Sequence, residues 1–228
     1  MNTPPSHRVM LGIPSGGSLL TDMALSLLYC SNRHSVDIRK STSSWDNFSV
    51  LWAMALNAAE AGEITHFSML HADIIPQAGW IDILIDEMEA AKVSLVSTTV
   101  PLKDHAGVLS CGIGGQTPSI GAWRRLTLWE MFHGNLPETF SIGDLRDTLP
   151  SRWPLDPYLL HNNGCWVADL RNEAWHQAAD DGNAAAYFAF TKQMQRTAEG
   201  RWMVFGESED WFFSRRMHEA GIPSAITR

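Results

Sequence analysis

The sequence predicts an α/β fold: a mainly parallel sheet flanked by helices on both faces, in a single domain. Three observations lead there. Short β-branched apolar runs alternate with helix-period stretches through the first hundred residues. The first run, Arg8–Pro14, closes on Pro14-Ser15-Gly16-Gly17, a strand entering a turn. The 228 residues, 45% hydrophobic and 18% charged, suffice for one large domain with a proper core and call for no disordered or fibrous class.

In chain order, RVMLGIP reads as a buried strand. Leu20, Ala24, Leu27 and Leu28 then recur at helical spacing, and Thr21 or Ser18 can cap, which predicts a helix over Ser18–Cys30. Strand, glycine turn and helix make a nucleotide-binding opening. The stretch lacks both GxGxxG and the Lys-Ser/Thr pair of a P-loop, so a plain tight turn explains the glycines equally well. Val36–Ile38 is the second strand. Ser41–Asp46 is a polar loop whose Asp46 can cap a helix over Asn47–Ala61, ended by Gly62, with Val50, Leu51, Met54, Ala55 and Ala58 as its sheet-facing stripe. Thr65–Leu70 is the central strand, Ile81, Leu84, Ile85 and Met88 mark the next helix, and Val93–Val100 is a β-branched strand.

Periodicity fails after Pro101. Residues 101–160 carry glycines, prolines and scattered aromatics, with a short helix around Leu126–Phe132, and loops of this length are usually functional. Arg124 and Arg125 with Trp123, Trp129 and Trp153 can form an acceptor groove; a solvated arginine pair beside core-covering tryptophans fits the same residues. Ala184–Met194 reads as a helix. In GESEDWFFSRRMHEAG, Ser208 is an N-cap, Glu209 and Asp210 fill the first turn, and Gly221 is the C′ residue. Asp210 shares a stripe with Phe213, Met217 and Ala220, so its carboxylate turns toward the core side, where desolvation raises a pKa and suits a general base.

A net charge of −8 argues against a broad electrostatic grip on nucleic acid or an anionic membrane, so a bound phosphate must be held locally. Cys30, Cys111 and Cys165 are odd in number and far apart, with no CxxC, which fits reduced thiols in a cytoplasm. MNTPPSHR has no long apolar h-region and no stretch reaches transmembrane length; neither secretion nor a membrane span is expected.

The candidate site centres on ITHFSMLHADIIPQAGW. Strand alternation puts Phe67, Met69, His71 and Asp73 on one face, so an imidazole and a carboxylate leave the sheet together at a strand end, where open α/β sheets bind ligands. The pair can hold a divalent cation or bind a sugar hydroxyl. Alternatively, Asp73 caps the turn at Pro76 and His71 is a core histidine.

HRVMLGIPSGG, THFSMLHADIIPQAGW, LLHNNGCWVADLR and GESEDWFFSRRMHEAGI, in that order, resemble a nucleotide-sugar glycosyltransferase of the GT-A fold, nearest the family 2-like group with bacterial and phage members. The resemblance implies a donor such as UDP-sugar, with Mn²⁺ or Mg²⁺ against its diphosphate on Asp73 and His71. It places Pro14, Ser15 and Gly16 beside the nucleotide, Asn163 and Gly164 near the donor sugar, and Asp210, or Glu209 as second choice, as the base. Residues 1–100 would be the nucleotide-binding half and 101–228 the acceptor side. The acceptor would be a glycan or, as a minority reading, a hydroxymethylated base of phage DNA.

Two departures stand out. His71 replaces the first acid of the usual Asp-x-Asp, and the sequence stops at Arg228, whereas many relatives continue beyond the last helix and supply a metal-binding histidine; either another histidine, such as His161, substitutes or the metal site is incomplete. Two other readings remain: a non-catalytic carbohydrate- or nucleotide-binding protein on the same fold, and a nucleotidyltransferase, for which PSGGS is a short loop.

Overall fold

A computed structural model describes residues 7–15, 21–41, 47–103, 106–116, 124–149, 153–197 and 199–228. The first half alternates as the sequence predicts: β1 (Arg8–Pro14), α1 (Thr21–Leu28), β2 (Ser35–Ser41), α2 (Asn47–Glu60), β3 (His66–Leu70), α3 (Trp80–Ala91) and β4 (Leu95–Thr98). The second half is strand-rich. It holds β5 (Val108–Gln116), β6 (Arg124–Thr127), α4 (Leu128–His133), β7 (Thr139–Phe140), α5 (Ile142–Thr148), β8 (Leu155–Leu160) and β9 (Cys165–Asp169). A 3-10 turn (Glu173–His176), β10 (Thr191–Arg196), β11 (Trp202–Glu207), α6 (Glu209–Glu219) and β12 (Ser224–Thr227) complete it.

The main sheet has the order β2-β1-β3-β9-β4-β12-β7. Strand β1 pairs in parallel with β2 and β3, and β12 with β4. Strand β9 is antiparallel to both β3 and β4, and β7 is antiparallel to β12. The sheet is therefore mixed, with β1, β2, β3, β4 and β12 running one way and β9 and β7 against them. A small sheet, β6-β5-β8, and the β10–β11 hairpin stand outside it.

Period-two alternation along β1 sends Val9, Leu11 and Ile13 to one face, where Met23 of α1 and Ile81, Leu84, Ile85 and Met88 of α3 cover them. The opposite face carries Met10, Phe67, Met69 and Trp166 under α2 and α6. There Trp52, Trp175, Phe188 and Phe213 interlock, Phe188 stacking on Phe213 at 4.2 Å between centroids. Each fully buried aromatic of this kind contributes roughly 1.5–3 kcal/mol of transfer free energy. A third core, containing Leu109, Cys111, Leu126, Phe140 and Leu145, lies among β5, β6, β7 and α5.

Several sequence expectations are corrected. Residues 184–194 are not helical: the chain bends at Ala185-Ala186, and Ala186 and Phe188 enter the α2 core before β10 begins. Tertiary contacts override the alanine-rich helix propensity: the Trp52 indole N–H donates to the Ala186 carbonyl at 2.8 Å, and Ala186 and Phe188 are buried against α2. In α2 the buried stripe is Leu51, Trp52 and Ala55; Val50 and Met54 are exposed because the large indole claims the sheet-facing side. In α1 only Met23 is fully buried; Ala24 and Leu28 face outward. Ser18, Leu20 and Asp46 lie outside the described residues. Gly221 sits past the end of α6 at φ 68°, the left-handed C′ conformation expected of it.

Candidate functional site

The carboxyl ends of β1, β3 and β4 meet the amino end of β9 because β9 is inserted antiparallel between β3 and β4. This end of the sheet gathers most of the expected residues. Pro14 closes β1, and the Ser15 amide donates to the Ser41 carbonyl at 3.0 Å, holding the β1 and β2 ends together. Gly16 lies outside the described residues. The His71 amide donates to the Gly164 carbonyl at 2.7 Å, which joins the β3 end directly to the Asn163-Gly164 turn.

His71 and Asp73 do leave together. Strand β3 ends at Leu70, yet the His71 ring stacks on Phe48 of α2 at 5.9 Å, the side Phe67 and Met69 also face. Its Nδ1 lies 2.8 Å from Asp73 Oδ1. The other carboxylate oxygen accepts a hydrogen bond from Lys103 Nζ at 2.6 Å. Lys103 first, then His71, holds the Asp73 carboxyl below the usual carboxylate range against the opposing effect of partial burial. These two side chains are donors that Mn²⁺ or Mg²⁺ accepts, but among the described residues no group of three His, Cys, Asp or Glu side chains is placed to hold a metal. His161 does not substitute. It is buried between β8 and β9 with Nδ1 on Ser97 Oγ and Nε2 on Ser224 Oγ, both at 2.8 Å, and burial pushes its pKa down to about 3.

Gly164 is required by packing. A Cβ there would lie 2.5 Å from Ile74 Cδ1 and 2.6 Å from Asn162 Oδ1. Asn162 cannot yield readily, since its Oδ1 accepts the Gly164 amide at 2.7 Å and its Nδ2 donates to the Thr98 carbonyl at 2.7 Å. Gly164→Ala is expected to cost about 1–3 kcal/mol of stability through overpacking. Urea unfolding reads it, and a midpoint equal to wild type would dismiss the packing argument. Asn163 is 8% exposed, and among the described residues its Nδ2 has no hydrogen-bond partner. Beyond Gly164, on the α3 side, Ile74, Trp80, Leu84, Thr98, Val100 and Cys165 help to line a cavity of about 400 Å³.

The second carboxylate stands at the start of α6. The Ser214 hydroxyl donates to the Asp210 carbonyl at 2.7 Å and accepts the His161 amide at 2.9 Å, so the first turn of α6 is tied to the segment leading into Asn163-Gly164. Ser208 is the N-cap residue, but its hydroxyl caps no backbone amide; it donates to Asp210 Oδ1, which also accepts the Trp211 amide at 2.9 Å. Burial raises the Asp210 pKa, while Ser208, the Trp211 amide and the nearby Arg125 charge oppose that rise. Glu209 lies beside it in the first turn, partly buried.

The expected acceptor groove is not assembled as a unit. Trp123 is outside the described residues, Trp129 is exposed on α4, and Trp153 packs against the third core. Arg124 pairs with Glu130 at 2.7 Å. Arg125 donates to the Leu109 and Ser110 carbonyls and lies 4.8 Å from the Trp211 ring centroid, bringing it into the field of Asp210. Sequence reasoning missed Lys103, Arg125 as neighbour of Asp210, and Ser208 as its hydrogen-bond donor. Ser208-x-Asp210 spacing was a signal for the last; Lys103 carried none.

Fold and strand-end crevice define an α/β protein with a mixed sheet. No family model and no curated protein matches the chain. Solved structures do, among them the viral protein A197 from STIV, which shares 12% identity over 96% of this chain and 81% of its own, with a TM-score of 0.50. At that identity the likeness concerns the fold alone. The three cysteines are free and buried, and no helix among the described residues is long and apolar enough to cross a membrane.

Proposed function

We propose that this chain is a glycosyltransferase of the GT-A type, moving a sugar from a nucleoside diphosphate donor to an acceptor hydroxyl, with a glycan as acceptor. One observation carries the reading: His71 and Asp73 at the end of β3, Asn163-Gly164 at the start of β9 and Asp210 at the start of α6 are linked through short hydrogen bonds at one end of the sheet. For inversion, Asp210 accepts the acceptor proton as the acceptor oxygen bonds to the anomeric carbon and the sugar–phosphate bond breaks, its electron pair leaving on the diphosphate. Ser208 and the Trp211 amide both engage Oδ1, which orients the carboxylate; among the described residues no hydrogen bond engages Oδ2. Pro14 and Ser15 border the nucleotide, and Gly164 lies near the donor sugar.

Mn²⁺ or Mg²⁺ at Asp73 and His71 belongs to the same proposal. Bound there it would neutralise the departing diphosphate as a Lewis acid, with phosphate oxygens and water filling the positions the protein leaves open. The spent charge of Asp73, paired with Lys103 and His71, favours a second reading, a non-catalytic carbohydrate- or nucleotide-binding protein. Slow release of free sugar from UDP- or GDP-sugars without acceptor, where water replaces the hydroxyl, is the expected result for the transferase. Tight donor binding with neither hydrolysis nor transfer would select the binding protein.

A further inference from the structure

Lys103 is a residue that no sequence pattern marks, yet it is placed with care. It lies in the β4–β5 connection, whose base is pinned by the Leu102 amide on the Val108 carbonyl at 2.9 Å, the Ser110 amide on the Val100 carbonyl at 2.8 Å, and a Pro101–Leu109 bridge. From that fixed base the side chain reaches across to the β3 end and puts its ammonium 2.6 Å from Asp73 Oδ2. Its side chain is 80% exposed, so little packing holds the four-carbon stem and the ammonium can turn without disturbing the core. An exposed ion pair of this kind is worth little in stability, which makes it an inexpensive one to exchange.

We propose that Lys103 is the diphosphate-binding cation of this crevice: it pairs with Asp73 and moves to the phosphate oxygens when a diphosphate enters. The proposal rests on the reading that the crevice takes a nucleoside diphosphate. A chain with net charge −8 repels such a ligand overall, so a local cation must offset the repulsion. A diphosphate carries more charge than one carboxylate and outcompetes it for the ammonium, while Asp73 keeps its His71 partner at 2.8 Å. Asn163 lies next to Gly164, whose carbonyl accepts the His71 amide, on the same side of the crevice as the Asp73 pair. It is buried at the turn that binds the His71 amide, and its Nδ2 donor has no partner among the described residues. Arg125 is not an equivalent cation, because two backbone carbonyls and the Trp211 ring already engage it. The arrangement also orders events at Asp73. A divalent cation entering alone has to displace the ammonium, whereas one arriving with a diphosphate finds Lys103 already drawn to the phosphates.

The test uses inorganic pyrophosphate and manganese as separate probes. In EDTA, calorimetry should find pyrophosphate bound by the wild type and weakened about tenfold or more in Lys103→Met, which keeps the stem and removes the charge, with Lys103→Arg close to wild type. Manganese alone, followed by EPR with no nucleotide present, should bind Lys103→Met more tightly than wild type, since the competitor for Asp73 is gone. Wild-type protein that ignores pyrophosphate without a divalent cation, or a Lys103→Met variant with unchanged affinity for either probe, overturns the assignment. Failure of the transferase reading would look different: Lys103-dependent pyrophosphate binding with no turnover of any sugar nucleotide leaves the anion site standing and removes the enzyme. Sugar transfer by Lys103→Met at wild-type donor affinity does the reverse.

Discussion

Asp210→Asn is expected to reduce turnover by roughly 10²–10⁴ while donor affinity stays near that of wild type. Asparagine preserves the shape, and its carbonyl oxygen can still accept from the Ser208 hydroxyl and the Trp211 amide, as Oδ1 does now. What it removes is a basic oxygen. Burial raises the carboxyl's pKa above its ordinary value, which strengthens it as a proton acceptor, and Ser208, the Trp211 amide and the Arg125 charge oppose that rise. The measurement pairs donor affinity with single-turnover rate, and circular dichroism establishes that the variant folds. Near-normal turnover would reduce Asp210 to a helix-start acid. Ser208→Ala offers a second reading of the same geometry, because freeing one hydrogen bond to Oδ1 shifts the acid limb of the pH–rate profile upward, an effect absent if the pair merely begins the helix.

How much of this was visible in the sequence depends on where local signals agree with tertiary ones. Along β1 and α3 they agree: β1 occupies the same seven residues that the apolar run marks, and α3 buries Ile81, Leu84, Ile85 and Met88 as spaced, whereas α1 and α2 bury narrower stripes than their spacing suggests. The second half is assembled by non-local pairing. Strands β9 and β7 run against the sheet, and nothing in CWVAD or TF states a direction. The Ala184–Met194 expectation failed because a residue far away in sequence, Trp52, decides what Ala186 must do.

The site divides along the same line. His71 and Asp73 were legible because strand alternation and a strand end are local facts. Asp210 was legible through its helix stripe, although that stripe could not say that Ser214 and His161 would tie it to the β9 turn. Lys103 was invisible: a single lysine in an aperiodic loop acquires meaning only when the β4–β5 connection folds back over Asp73. His161 shows the opposite case, and of the two alternatives for the metal site it removes one. A histidine next to Asn162-Asn163 has the composition of a ligand, but two serine hydroxyls and complete burial make it a structural imidazole.

Stability is expected to fall between pH 6.5 and 5, and His161 supplies the clearest part of that loss. Among the described residues no charged group hydrogen-bonds its ring: Ser97, Ser224 and, through the backbone amide, Ser214 are its hydrogen-bond partners, and desolvation drives its pKa down to about 3. Because the folded pKa lies below the unfolded one, the unfolded chain binds the extra proton first. The folded state is thus penalised as pH drops below about 6.5, with no contribution above it, and the penalty reaches about 2 kcal/mol at pH 5. His66 acts in the same direction at the opposite end of the sheet. Burial lowers its pKa, His7, His34 and Arg171 lower it further, and Asp169 opposes them; the His7 ring lies 4.4 Å away. Its Nε2 is buried without a hydrogen-bond partner among the described residues, so protonation there has no acceptor waiting. The window lies above the range in which Asp73 and Asp169, both held below the usual carboxylate values, take up protons. Urea unfolding at pH 7 and pH 5 reads the loss directly. His161→Gln should unfold more easily at pH 7 yet lose about one proton equivalent of the pH dependence, and a wild-type stability that is flat across the interval would show that neither imidazole is held neutral by the fold.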